Sequence, residues 1–181
     1  MELLYALLII LIIICLLAIV YIFYYNRLQD FKLKIDEAEA VLDESLREKY
    51  DSIIEIKSLI NKVAKNNKIN FKDMDKLKTE EISNFDLDRK LNEYMILINQ
   101  IFNDYKSVNQ SDELNGKLIE IDRIDEKITS AKTFYNKYIS ESNELVRKFP
   151  SNVVAKFHNI KIKNFFDNKD LNDDVINDFK L

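Results

Sequence analysis

One stretch limits what this chain can become. Leu3–Tyr25 reads LLYALLIILIIICLLAIVYIFYY and contains no charged side chain. As an α-helix it would be about 34 Å long at roughly 1.5 Å per residue, against a bilayer hydrocarbon core of about 30 Å. A secretory signal would need a basic leading region, a shorter apolar run and a small-residue cleavage site. Only Met1 and Glu2 precede the run, and Tyr21, Phe23, Tyr24 and Tyr25 stand where a cleavage site would fall. A buried core helix is the alternative, but the length and the absence of charge argue against it. The stretch therefore predicts a membrane-spanning helix in contact with lipid over residues 3–25. Tyr5 and the Tyr21–Tyr25 cluster suit the two membrane interfaces.

Flanking charge sets the expected orientation. No Lys or Arg precedes the run, whereas Arg27, Lys32 and Lys34 follow it closely. Basic residues stay on the cytosolic side. The expectation is an outside N-terminus and a cytosolic body in a single-pass cell-membrane protein. The chain then divides into an anchor (1–25), a body (26–166) and an acidic tail (167–181).

Composition bounds the body. The chain has one Gly, one Pro and 32% charged residues, which leaves little turn chemistry and favours long helices. Its one cysteine, Cys15, lies in the apolar run, so neither an intrachain disulfide nor a thiolate metal cluster is expected. All 27 basic residues, and all of the 31 acidic ones except Glu2, follow the anchor with signs interspersed. A nucleic-acid binder would show a basic face, so no nucleic-acid partner is expected.

From Asn26 to about Asn66 nothing breaks a helix. Leu28, Phe31, Ile35, Ala38 and Leu42 recur at helical spacing. The stripe then slips by four to Leu46, Tyr50 and Ile53, and continues through Ile60 and Val63; such a slip locally unwinds coiled-coil packing. Asp36, Glu37, Glu39, Asp43, Glu44, Arg47, Glu48 and Lys49 read as a solvated face. Nothing separates this helix from the apolar run, so the two are expected to be continuous. Asn66-Asn67 favour a break, and Met74, Leu77 and Ile82 suit either a short helix or a loop. A second helix begins near Asn84, read as its N-cap, with Leu87, Leu91, Tyr94, Met95, Ile98, Ile101, Phe102 and Tyr105 on one side. Ser107–Ser111 reads as a turn, Ser111 capping a third helix from Asp112 to about Lys148.

That third helix carries a near-sevenfold row: Leu114, Ile121, Ile128, Tyr135, Ser142 and Phe149. Gly116 interrupts it and suggests a close backbone approach. Pro150 stops it, and Ser151 is read as the cap of a short helix over 152–157. Ile160–Phe166 (IKIKNFF) alternates like a strand but has no partner strand, so it reads as a lid whose Ile160, Ile162, Phe165 and Phe166 cover the bundle. Leu171, Val175 and Phe179 make the tail either a marginal amphipathic helix or a disordered segment. The fold class is all-α: an N-terminal transmembrane helix, then an antiparallel up-down bundle of three long helices and a short C-terminal one.

Chemistry-bearing patterns are sparse. His158 is the single histidine, and it reads as a packed or surface side chain rather than a triad member. A carboxylate di-iron bundle would need Glu at position 155, where Ala155 stands. A phosphate loop needs several glycines. Asp170-x-Asn172-x-Asp174 resembles a calcium loop but has Val175 for its Gly and Leu181 for its closing Glu. No catalytic, cofactor-binding or metal residues are therefore assigned, and no cofactor is expected. Tyr135, Asn136 and Asn143 are the polar residues of most interest. The two asparagines lie one heptad apart and suit hydrogen bonds that fix helix register.

These residues resemble the LemA family. The resemblance runs through Tyr25–Leu28 and DEAEAVLDESLREKYDSII (Asp36–Ile54). It resumes with Ile128, Ala131, Tyr135-Asn136, Ile139, Asn143, Val146, Phe149-Pro150, Asn152, Val154-Ala155, Phe157 and Phe165-Phe166. Departures are Ile54 where the family usually has Pro, Lys132 for Arg, and Ser142 for an aromatic. The resemblance implies a bacterial single-span membrane protein with a cytosol-facing helical bundle, and no defined chemistry. The expected function is a non-enzymatic structural or interaction platform that binds protein partners. The alternative is a small-ligand or signal-sensing bundle coupled to the membrane helix.

Overall fold

The computed structural model describes residues 1–63, 74, 77, 82–105, 108 and 110–166. Four helices run through them: α1 (Glu2–Val63), α2 (Asn84–Asp104), α3 (Asp112–Arg147) and α4 (Ser151–Phe157). No strand occurs among the described residues, so the protein is all-α. The acidic tail lies outside them, as does most of 64–81.

The expected continuity of the apolar run with the first body helix holds. α1 is a single 62-residue helix, as a stretch without Gly or Pro permits. Its first part is apolar on every side, and Leu3, Ile9, Leu16 and Phe23 are all exposed. From Leu28 onward only one stripe is buried.

The chain forms two compact units. The first joins Met1–Glu37 to the chain from Phe134 onward. Its core is Leu28, Val154 and Ala155, covered by Tyr24, Tyr25, Leu145, Val146 and Ile160. The second unit is Ala38–Thr133. There α1 buries Leu42, Leu46, Ile53, Ile56 and Ile60, α2 buries Leu91, Ile98 and Ile101, and α3 buries Leu114, Ile121, Ile124 and Ile128. Met74 and Leu77 are buried as well. Each such Leu or Ile contributes about 1.5–3 kcal/mol of burial free energy before chain entropy is subtracted.

Several expectations need correction. The cap of α2 is Ser83 rather than Asn84. Ser83 is extended at φ −68° and ψ 151°; its Oγ accepts the Asp86 N–H at 3.1 Å and donates to Asp86 Oδ2 at 2.7 Å. The Asp86 carboxylate at the third helical position thus bonds the cap's hydroxyl and sits at the positive end of the helix. Ser111 does cap α3, its Oγ accepting from Leu114 N at 3.4 Å. Ser151 does not cap α4. It is buried, and its hydroxyl reaches Leu145 O at 2.6 Å and Lys148 O at 2.8 Å, satisfying carbonyls at the C-terminal end of α3. Phe149 leaves the α3 core row and is 81% exposed, because the helix ends at Arg147. Ile162 is exposed instead of covering the core.

Gly116 is not a close approach, since a Cβ there would meet no heavy atom within 4 Å. It only costs α3 backbone entropy. Gly116→Ala should therefore stabilise the second unit by about 1 kcal/mol, seen as a higher thermal midpoint with no change in helix content.

Candidate functional site

Lys49 is the least expected side chain in the second unit. It was read as solvated and is 0% exposed. The reason is its register: with Leu46, Ile53, Ile56 and Ile60 it completes the three-four alternation of the buried stripe. Its ammonium donates to Asp125 Oδ1 of α3 at 2.6 Å and to Asn92 Oδ1 of α2 at 2.7 Å. Asn92 Nδ2 faces Asp88 Oδ2 at 3.5 Å, and Lys132 donates to the same oxygen at 2.6 Å. Asp88 is itself buried. A chain of polar groups thus links three helices, with the neutral Asn92 joining the Asp125–Lys49 and Asp88–Lys132 ion pairs. Ser45 and Ser52, one turn to either side of Lys49, are buried too. Farther out, Lys127 pairs with Glu48 at 3.1 Å, and Lys117 with Glu55 at 2.6 Å. Hydrogen bonds donated to Glu120 and Glu55 hold the Lys117 ammonium well above its ordinary pKa.

In the first unit, Asn136 and Asn143 act on backbone, but not helix backbone. Asn143 Nδ2 donates to Lys163 O at 2.8 Å while its Oδ1 accepts from Lys163 N at 3.0 Å. Asn136 Oδ1 accepts from Phe166 N at 2.8 Å. The spacing explains the pairing. Seven residues of helix cover about 10.5 Å at 1.5 Å each, and three of extended chain cover about 10 Å at roughly 3.3 Å each. The strand-like Ile160–Phe166 stretch therefore has side-chain amides where a sheet would supply a neighbouring strand. Tyr135 meets the buried Phe166 edge-on, centroids 6.3 Å apart.

The segment is aimed by the end of α4. Asn159 has φ 52°, a left-handed conformation that Asn tolerates. Ile160 N donates to Ala155 O at 2.9 Å and Asn159 N to Lys156 O at 3.2 Å. This is the double bond pattern of a Schellman motif, with Ile160 packed on the core containing Ala155. His158, the residue before, is exposed. Its Nε2 lies 2.6 Å from the Tyr21 hydroxyl, and its ring is 4.6 Å from that of Tyr25. Both tyrosines belong to the last turns of the apolar run. Nearby, an Asp30 hydrogen bond holds the Lys34 ammonium above its ordinary range, and Lys148 holds the Glu144 carboxyl below its own.

Among the described residues, no three His, Cys, Asp or Glu side chains gather as a metal site would. Asp170, Asn172 and Asp174 lie outside those residues. What the geometry brings together is two devices for fixing helices and a segment in place.

The sequence model of the LemA family matches residues 38–177, most of the chain. This chain belongs to the LemA family. No curated protein and no solved structure matches it. The LemA match takes in every member of both polar devices, Lys49 through Asn143 together with Lys163 and Phe166. It begins after Tyr25–Leu28, so that part of the resemblance lies outside it. Within that match Lys132 supplies the cation paired with the buried Asp88.

Proposed function

We propose that this LemA-family chain is a single-pass membrane protein whose cytosolic helical bundle is a docking platform for other proteins, with no catalytic step of its own. The observation that carries this reading is α1. One helix begins exposed and apolar on every side, then without interruption buries a single stripe. An apolar surface all round suits lipid, and a single stripe suits a packed body in water. Arg27, Lys32 and Lys34 favour the cytosolic side for that body. An antiparallel arrangement is supported by the order of ion pairs, in which Glu48, Lys49 and Glu55 meet Lys127, Asp125 and Lys117. The buried Lys49, Asp88 and Asn143 support a structural role, since each hydrogen-bonds a group on another element.

The partners in this reading are membrane lipid along 3–25 and proteins on the bundle surface, with no nucleic acid and no cofactor. A second reading, a ligand- or signal-sensing bundle, is favoured by the same unbroken α1, which would carry a change in the body directly to the membrane.

Crosslinking and affinity capture from native membranes separates the two. The full chain is compared with a version whose residues 3–25 are replaced by an unrelated apolar span. A platform should retain one specific partner set in both. Loss of all specific partners in both would contradict it and favour sensing.

A further inference from the structure

The surface of α4 has an unused apolar face. Val153 and Phe157, four residues apart and hence on one side of the helix, are 48% and 80% exposed, and Phe149 just before it is 81% exposed. A soluble surface rarely displays such side chains beside one another without an occupant.

Two further observations say what that occupant is. The first is level along α1. His158, just past the C-terminal end of α4, bonds Tyr21 and sets its ring at a tilt against Tyr25, and Val154 and Ala155 pack on Leu28. α4 is therefore held beside the last turns of the apolar run. The interfacial layer on each side of a bilayer is about 5–7 Å deep, or roughly four residues of helix. If residues 3–25 span, Tyr24 and Tyr25 fall at the edge of the hydrocarbon and Tyr21 about 5 Å inside it, and the contacts of His158 with Tyr21 and Tyr25 hold the neighbouring Phe157 near that boundary. The second is charge. Leu145–Phe166 contains Arg147, Lys148, Lys156, Lys161 and Lys163 but no Asp or Glu. Basic groups beside exposed aromatics fit a negatively charged lipid surface.

We propose that α4 is a second membrane contact: Val153 and Phe157, with Phe149, enter the boundary between headgroups and acyl chains, while Arg147, Lys156 and Lys161 meet lipid phosphates. This rests on residues 3–25 spanning the bilayer. The His158–Tyr21 bond then fixes α4 against α1 at the boundary between headgroups and acyl chains. The first unit sits on the membrane through both contacts and cannot pivot freely about α1.

The chain has no Trp, so single Trp reporters are unambiguous. Full-length Ile14→Trp, Phe157→Trp and Phe134→Trp proteins are reconstituted into vesicles of phosphatidylcholine and phosphatidylglycerol brominated near either end of the acyl chains. All three positions are exposed in the protein, so each Trp is tolerated. Ile14→Trp should lose most of its emission to deep bromines. Phe157→Trp should lose most of its emission to shallow bromines and be shielded from aqueous acrylamide. Phe134→Trp should respond to acrylamide alone. If Ile14→Trp is quenched but Phe157→Trp behaves like Phe134→Trp, α4 faces water or a protein and the inference is overturned while the span stands. If Ile14→Trp also escapes bromine, the span reading itself fails, and the inference falls with it.

Discussion

Lys49→Glu should cost the second unit about 3–5 kcal/mol, a large share of the stability of an ordinary domain. The side chain is wholly buried, and its two partners, Asp125 Oδ1 and Asn92 Oδ1, are both acceptors. A carboxylate there meets one negative group and one carbonyl with no donor between them. Lys49→Met should behave differently. It keeps the aliphatic stem that fills the stripe and removes the charge, and Asp125, whose side chain is 42% exposed, can return to water. Removing one partner of a buried pair is costly when it strands a buried charge, and here the stranded charge, Asp125, is not buried. Lys49→Met should thus fall within about 1 kcal/mol of the parent. Adding Asp125→Lys to Lys49→Glu should recover part of the loss. Thermal and urea unfolding of the full chain in detergent, followed by helical circular dichroism, checks all three. Equal damage from Met and Glu would mean that the ammonium itself, rather than its sign and volume, holds the three helices together.

Asn143→Leu should release the Ile160–Phe166 segment while leaving the helices intact. The amide is buried and makes two bonds to Lys163, one to its N–H and one to its carbonyl. Leu has similar volume and can make neither. Losing bonds of this kind costs about 1–3 kcal/mol, here concentrated in a segment that has no ladder of its own. Amide exchange at Lys163 should accelerate by roughly tenfold for each 1.4 kcal/mol lost. Phe166, still bonded to Asn136 Oδ1, should follow to a smaller extent, and Asn136→Ala added to Asn143→Leu should free both amides. Exchange rates in α3 itself should hardly move. If Asn143→Leu left Lys163 protected, the clamp would not be what holds the segment.

Much of the helical plan was legible because apolar spacing encodes it. The uncharged run, the stripe from Leu28 to Leu42 and the stop at Pro150 all follow from local pattern. Lys49 was missed because a lysine flanked by acids reads as surface, and Tyr50 looked like the better stripe member. Replacing Tyr50 by Lys49 makes the three-four rhythm regular from Leu46 to Ile60, a signal available in the sequence. The strand-like Ile160–Phe166 was correctly denied a partner strand. Its actual partners, two asparagine side chains one heptad apart, were singled out but assigned to helix register. The left-handed turn at Asn159 follows from Asn tolerance of that conformation, but only in retrospect, since the two residues before it are equally compatible with a continuing helix. Asp88 carries no signal of burial, because the ammonium that pairs with it, Lys132, lies on another helix.

The most direct test of a cytosolic body on a spanning α1 is a fluorescent protein fused after Leu181, of a kind that matures only in the cytosol. The fusion should be bright, and it should stay in the membrane pellet through an alkaline wash. A dark fusion in that pellet would place the body on the other side. Fluorescence released into the supernatant would contradict the membrane span itself.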